Sequence, residues 1–336
     1  MSQRSDIRFS LPSKGRLAET AEEFLAACGL AIDKPNPRQY AARIPALPDV
    51  TVLFQRPGDI VVSVRDGSVD FGITGMDVTV ENGGNGKVLV IHEALGFGTC
   101  HLAVAVPETW ETVATMAGLA AYTRTLQHPL RVATQFPNVT GAFLSRNGVD
   151  PFTLIRAEGT LEAAPAIGYA DCISDLVSSG QTLRDNRLRP LEDGVILHSE
   201  ACLIANRAVL RARPEVLAVA RTLLEFIEAH VRASGHVMVV ANMRGESPQA
   251  IAERMFAQKV LGGLQGPTIS PVVVPGKRAG GWYAVQIVVR RDSLFQAINE
   301  LRAIGGSGVV VTPVTYIFEE EPARYRAMME AVARGT

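Results

Sequence analysis

Asp171-Cys172-Ile173-Ser174-Asp175-Leu176-Val177-Ser178-Ser179-Gly180-Gln181-Thr182-Leu183 is the segment on which the fold turns. An apolar strand runs into a small, hydroxyl-rich turn with a glycine, and a helix pattern follows. That junction is the unit of an α/β sheet, in which ligands collect outside the C-terminal ends of the strands. The turn suits an anion, because successive backbone N–H groups, helix-start polarity and the hydroxyls of Ser178, Ser179 and Thr182 all favour phosphate. Asp171 and Asp175 stand where carboxylates orient ribose hydroxyls or a hydrated Mg2+ accompanying a pyrophosphate. The plain alternative is a turn whose hydroxyls cap a helix while both aspartates face solvent.

Working outward, the alternation repeats. Toward the N-terminus lie a strand at 131–134 followed by Pro137-Asn138 and a helix through Leu144, and before it a strand at 101–106 that opens a second unit. The first unit opens with a strand at 7–11, the loop Pro12-Ser13-Lys14-Gly15-Arg16, and a helix carrying Leu17, Ala21, Phe24, Leu25 and Cys28 at helical spacing, with Gly29 to end it. A strand at 50–55, a helical turn at 59–66 and a strand at 71–75 follow. Toward the C-terminus, a strand at 201–205 is expected to return to the first unit, giving two α/β lobes with a cleft between them. After a long helix at 214–233 come a strand at 236–242, a helix at 248–260, strands at 267–274 and 282–290, a helix at 293–304 and a strand at 308–318. This is the βαββαβ order of ferredoxin-like domains. Glu319-Glu320-Glu321 reads as a solvated turn before a final helix.

A chain of 336 residues suggests two or three domains, and 47% hydrophobic with 20% charged residues excludes wholesale disorder. Thirty-three basic residues against 34 acidic ones, with no basic block, argue against nucleic acid as a partner. Cys28, Cys100, Cys172 and Cys202 are far apart and form no CxxC pair, so reduced thiols are expected. The six histidines show no metal-ligand spacing. With no signal-like apolar core at the N-terminus and no run of roughly 20 apolar residues, no membrane partner and a cytoplasmic location are expected.

The turn extends backward to Glu162, and the whole resembles the signature of ATP phosphoribosyltransferases, filled here by Glu162, Gly168, Ala170, Ile173, Asp175, Ser179, Gly180, Thr182 and Leu183. Residues 11–17, Arg56-Pro57-Gly58-Asp59-Ile60 and Asp70-Phe71-Gly72-Ile73-Thr74-Gly75 resemble further loops of that family, as do residues 97–100 and 133–138. Residues 266–271 and the βαββαβ pattern resemble the regulatory domain of its long form. The resemblance implies a two-lobed catalytic part of the periplasmic-binding-protein type. Lobe I is expected at 1–97 plus 193–213, lobe II at 98–192, the regulatory domain at 234–320 and a helical extension at 321–336.

It further implies transfer of a phosphoribosyl group to ATP as the first step of histidine biosynthesis, with Mg2+, with L-histidine as inhibitor, as a dimer-to-hexamer homo-oligomer needing no separate regulatory subunit. Expected catalytic residues are Glu162, Asp171 and Asp175, with Asp171 and Asp175 also candidate Mg2+ ligands. Expected phosphoribosyl-pyrophosphate contacts are Asp171, Asp175, Ser178, Ser179, Gly180, Gln181 and Thr182, and expected ATP or pyrophosphate contacts are Lys14, Gly15, Arg16, Arg56, Asp70 and Gly75. Lys14 and Arg16 also read as solvated helix-start residues, and Asp70 as a turn-closing residue. The rival functions are a solute-binding protein, a catalytically inactive regulatory subunit, and a phosphoribosyltransferase acting on another base.

Overall fold

The computed structural model describes residues 5–334, apart from 16, 35, 37, 38, 85, 158 and 274–280. The chain divides into two compact units: one runs to Leu224 and resumes at Ala323, the other is Glu225–Pro322. In chain order the strands are β1 (Ile7–Pro12), β2 (Ala41–Ile44), β3 (Leu47–Gln55), β4 (Phe71–Gly75), β5 (Val88–His92), β6 (Cys100–Pro107), β7 (Leu130–Thr134), β8 (Phe152–Arg156), β9 (Cys172–Val177), β10 (Leu188–Ser199), β11 (Ala201–Asn206), β12 (His236–Arg244), β13 (Thr268–Pro271), β14 (Trp282–Arg290) and β15 (Ser307–Pro313). The helices are α1 (Ala18–Ala27), α2 (Pro57–Arg65), α3 (Met76–Asn82), α4 (Met116–Thr123), α5 (Pro137–Arg146), α6 (Gln181–Asp185), α7 (Arg207–Ala212), α8 (Pro214–Ser234), α9 (Pro248–Phe256), α10 (Leu294–Ala303) and α11 (Ala323–Ala333).

In the first unit a six-stranded sheet has the order β2-β3-β1-β4-β11-β5, and a five-stranded sheet has the order β10-β6-β9-β7-β8. β1 runs parallel to both β3 and β4, and β7 runs parallel to both β8 and β9, so each lobe gathers three C-terminal strand ends on one edge. All five residues of β4 are buried, as a central strand covered on both faces requires. Gly72 is what allows that cover: a Cβ there would press into the Ile60 side chain of α2. The expected return strand is β11, antiparallel to β4 and β5. The expected return at residue 193 falls inside β10, which stays paired with β6 as far as Ser199, so the chain recrosses only at Glu200. α11 belongs to the first unit, where Arg324 donates to both carboxylate oxygens of Glu93, at 3.0 and 2.6 Å.

The second unit holds a four-stranded antiparallel sheet of order β13-β14-β12-β15, the interleaving that two split βαβ motifs produce. Val237, Val239, Ala241 and Met243 alternate along β12 into a core with Ile251, Met255, Ala297 and Leu301 from α9 and α10. The strand expected at 308–318 ends at Pro313. Residues 316–318 leave the sheet for α8, where the Ile317 N–H donates to the Ala229 carbonyl and Tyr316 and Phe318 pack edge-on against Phe226. The helix expected to reach residue 260 stops at Phe256, and residue 274 of the expected third strand lies outside the described residues.

Candidate active site

The strand ends converge on a cavity of about 520 Å³ inside the first unit. Lys14 and Gly15 enter from the loop after β1, Arg56 and Asp59 from the start of α2, Gly75 and Asp77 from the β4–α3 junction. The opposite wall comes from the other sheet: Gln135 and Phe136 between β7 and α5, Arg156 at the end of β8, and Leu176 in β9. Lys14, Arg56 and Arg156 are exposed, so their charges face the cavity and solvent without the cost of burial. The structure thus gathers Lys14, Gly15, Arg56 and Gly75 as expected, while Arg16 lies outside the described residues. Arg156 was not anticipated. Its one signal is a position at the C-terminal end of a strand parallel to β7, and that strand has no alternation strong enough to read.

The Ser178–Gly180 turn lines a second cavity, of about 440 Å³, together with Val177, His101, Glu108, Arg184 and Arg189. Leu176 borders the first cavity and Val177 the second, as successive side chains of a strand point to opposite faces. The end of β9 therefore separates two sites. Gly180 has φ +71°, a left-handed conformation that lets the chain turn straight into α6. Gln181 and Thr182 open α6, where first-turn N–H groups have no acceptor inside the helix. The Gln181 N–H reaches Ser179 Oγ at 3.4 Å, and Arg184 Nη2 donates to the Ser179 carbonyl at 3.3 Å and to Gln181 Oε1 at 3.0 Å, bracing the turn and adding positive charge.

Asp175, one residue before the shared wall, is half-buried, and its Oδ1 accepts the N–H of Leu176 at 2.7 Å. Burial pushes its carboxyl up to about 6; the Leu176 N–H works against that shift and the negative charge of Glu162 adds to it. Glu162 sits in a short 3-10 turn, Leu161–Ala163, entered through Thr160 at φ 44°. Glu162 is thus near enough for its charge to be felt at Asp175, and a cation between them would relieve both.

Asp70 and Asp171 belong elsewhere. Each immediately precedes a parallel strand, β4 or β9, and so lies at the N-terminal edge of its sheet, a strand's length from the turns. Their contacts match. The N–H of Arg8 donates to Asp70 Oδ2 at 2.8 Å while the Asp70 N–H donates to the Arg8 carbonyl at 3.0 Å. The N–H of Arg131 donates to Asp171 Oδ2 at 2.8 Å while the Asp171 N–H donates to the Arg131 carbonyl at 2.8 Å. Asp70 is fully buried with Arg213 3.6 Å away, and Asp171 holds the Arg131 guanidinium at 2.7 Å. Burial pushes the Asp171 carboxyl up, but hydrogen bonds from the Arg131 side chain and backbone outweigh it and hold the carboxyl below its ordinary value. Both aspartates staple strand starts, and Asp171 is no candidate for catalysis or Mg2+.

Among the described residues no three His, Cys, Asp or Glu side chains gather as a metal cage. The four cysteines are buried and form no disulfide, and burial raises Cys28 and Cys202 to about 12, which removes them as nucleophiles. No helix among the described residues is long and apolar enough to cross a membrane.

Residues 56–228 match the family model described as HisG: ATP phosphoribosyltransferase, and residues 233–316 match that described as HisG, C-terminal domain. ATP phosphoribosyltransferase 2, chloroplastic, from Arabidopsis thaliana is 47% identical over 332 residues, covering 97% of this chain and 80% of the relative. ATP phosphoribosyltransferase from Rhodopseudomonas palustris (strain HaA2) is 38% identical over 319 residues, covering 93% and 94%. Among solved structures, the ATP phosphoribosyl transferase (HisG:HisZ) complex from Thermotoga maritima covers 66% of this chain and 98% of its own, with a TM-score of 0.52 and 24% identity, a likeness of fold.

Asp70→Asn and Asp171→Asn are each expected to lower unfolding stability by about 1–3 kcal/mol, the cost of disturbing a charged hydrogen-bonded group, while KM changes by less than about twofold. Denaturant unfolding beside steady-state kinetics checks this. A KM for the ribosyl substrate raised about tenfold in Asp171→Asn would return that residue to the site.

Proposed function

The chain belongs to the ATP phosphoribosyltransferase family, and on that premise we propose how its residues divide the work. The enzyme transfers the 5-phosphoribosyl group of 5-phosphoribosyl 1-pyrophosphate to N1 of ATP, the first step of histidine biosynthesis. The lone pair of N1 forms the bond to C1 of the ribose, and the C1–O bond breaks with its electron pair leaving on pyrophosphate. No protein nucleophile takes part, so the residues must position two substrates and balance charge.

The Ser178–Thr182 turn binds the 5-phosphate, with Arg184 beside it. Asp175 binds the ribose hydroxyls and, with Glu162, faces the positive charge that develops on the sugar as C1–O breaks. Lys14, Arg56 and Arg156 hold the polyphosphates, with Gly15 and Gly75 leaving backbone room. Arg16 is assigned with Lys14 on its sequence position alone. The observation that carries this reading is the wall made by β9: three cations from both lobes face the cavity that Leu176 lines, the phosphate turn lines the cavity that Val177 lines, and Asp175 precedes both residues on the same strand.

Asp175 and Glu162 fit a Mg2+ that arrives on the pyrophosphate, since a carboxylate raised by burial and a second carboxylate gains from a cation, and Mg2+ is usually held by one or two carboxylates plus substrate oxygens and water. Bound there, Mg2+ would offset the charge of the leaving group. Lobe I is assigned to 1–97 with the return segment from 193 to 213, whose first residues, up to Ser199, still pair with β6 before the chain recrosses at Glu200, and lobe II to 98–192. The domain at 234–320 is assigned to feedback inhibition by L-histidine and to assembly as dimers and hexamers without a separate regulatory subunit, with 321–336 as an extension. The C-terminal family match at 233–316 supports this. Four buried cysteines outside any disulfide support a reducing compartment, the cytoplasm on the sequence reading.

Pyrophosphate release from ATP, 5-phosphoribosyl 1-pyrophosphate and Mg2+ is expected to fall when L-histidine is added; release indifferent to histidine would overturn the regulatory assignment. With substrates well below KM, kcat/KM is expected to fall as pH drops through about 6, where Asp175 takes up its proton, and this inflection is expected to vanish in Asp175→Asn. The sign for stability is opposite. A carboxyl raised in the folded state binds its proton more tightly there than in the unfolded chain, so its ionisation costs stability as pH rises from the ordinary carboxylate range to about 6, and Asp175→Asn is expected to melt higher at pH 7. A pH profile unchanged by Asp175→Asn would remove Asp175 from the site.

A further inference from the structure

Two short crossings join the lobes: from β5, ending at His92, to β6, beginning at Cys100; and from β10, ending at Ser199, to β11, beginning at Ala201. Such a pair of connections leaves hinge motion free unless side chains oppose it. Two acidic side chains of α3 reach across the gap: Asp77 Oδ1 accepts the Ser199 hydroxyl at 2.9 Å, right beside the second crossing, and Glu81 reaches the other lobe away from either crossing. Glu81, in the last turn of α3, is 9% exposed and lies against the N-terminus of α5. Its Oε1 accepts the N–H of Asn138 at 3.0 Å and its Oε2 the N–H of Val139 at 3.1 Å, while its backbone carbonyl accepts Asn138 Nδ2 at 3.2 Å. α3 follows β4 of the six-stranded sheet and α5 follows β7 of the five-stranded sheet, so one carboxylate bonds lobe to lobe. The two carboxylate bonds are charge-assisted, and each satisfies a backbone N–H that has no acceptor within its own helix.

Both helices border the substrate cavity. α3 and the glycine that starts it bring Gly75, Asp77, Val78 and Asn82 to it, and α5 is entered through Gln135 and Phe136. α5 is in turn tied to the strand that carries the ribose-binding carboxylate: Thr140 Oγ1 lies 2.9 Å from Ser174 Oγ and 3.4 Å from Thr134 Oγ1, all three fully buried, and Ser174 immediately precedes Asp175. A connected path therefore runs from α3 through Glu81 to α5, and through Thr140 and Ser174 to β9.

We propose that Glu81 is a positioning residue, an interlobe latch that holds the two walls of the cleft at the separation at which both substrates bind. It touches no reacting atom; it acts through α5 and β9. The inference rests on reading this cavity as the substrate cleft, and Arg56→Ala tests that reading separately. A protein whose binding-competent state is only partly populated loses apparent affinity in proportion, while saturating substrate restores the competent state.

Steady-state kinetics of Glu81→Ala, Glu81→Gln and Arg56→Ala, with thermal melting of each, makes the test. Glu81→Ala is expected to raise KM for both substrates about tenfold with kcat within about twofold. Glu81→Gln, which keeps one acceptor oxygen and loses the charge, is expected to fall between it and the parent, and it decides the matter if Glu81→Ala does not fold. A purely structural role would lower the melting temperature and leave KM alone. Wild-type KM for both substrates in Glu81→Gln, alongside a raised KM in Arg56→Ala, would overturn the latch and spare the cleft. Wild-type KM in Arg56→Ala would overturn the reading of the cleft and the latch with it.

Discussion

Strand direction is the constraint on which the first unit depends. A parallel sheet presents turn N–H groups and helix starts at one edge only, where the strands end, and the opposite edge has only strand starts to secure. β1, β3 and β4 deliver Lys14, Arg56 and Gly75 to one wall of the cleft, and β7, β8 and β9 deliver Gln135, Arg156 and Leu176 to the other. The same rule disposes of Asp70 and Asp171. Each sits one residue before its strand, so each is spent on the neighbouring strand's backbone, in two lobes that solve the problem with the same pair of hydrogen bonds.

Much of this was legible in the sequence. The alternation of apolar strands with helices is carried by β1, β4, β7, β9 and β11, whose buried runs need no side-chain alternation to stand out, and the βαββαβ order of the second unit is likewise read from periodicity. What escaped lies at sheet margins. β2 is four residues long, β8 is an edge strand with no fully buried residue, and β10 mixes exposed and buried positions through register shifts against β6. Arg156 was lost with β8. The aspartates were misplaced for another reason: spacing along the chain puts Asp171 four residues from Asp175, but in an extended strand four residues separate opposite edges of a lobe, roughly 13 Å apart.

On the proposed reading, the site handles dense phosphate charge in a chain of formal net charge −1. It does so locally, through exposed Lys14, Arg56 and Arg156 and through backbone N–H groups at turns, which bring no countercharge to be paired in the empty protein. Asp175 is the exception that bears a cost. Burial beside Glu162 raises its carboxyl to about 6, which is tolerable only where a cation, a sugar hydroxyl or a developing positive charge repays the ionised form. Glu81 shows the opposite use of an acidic group: its charge is consumed on a helix start, fixing geometry instead of meeting substrate.

The central claim is that the two cavities on either side of the end of β9 are one bipartite substrate site. Amide hydrogen exchange of the full chain, with and without 5-phosphoribosyl 1-pyrophosphate and Mg2+, tests it most directly. The account predicts slowed exchange at the amides of residues 178–182, with the strand starts at Asp70 and Asp171 unchanged. Protection at those strand starts with none at the turn would contradict it.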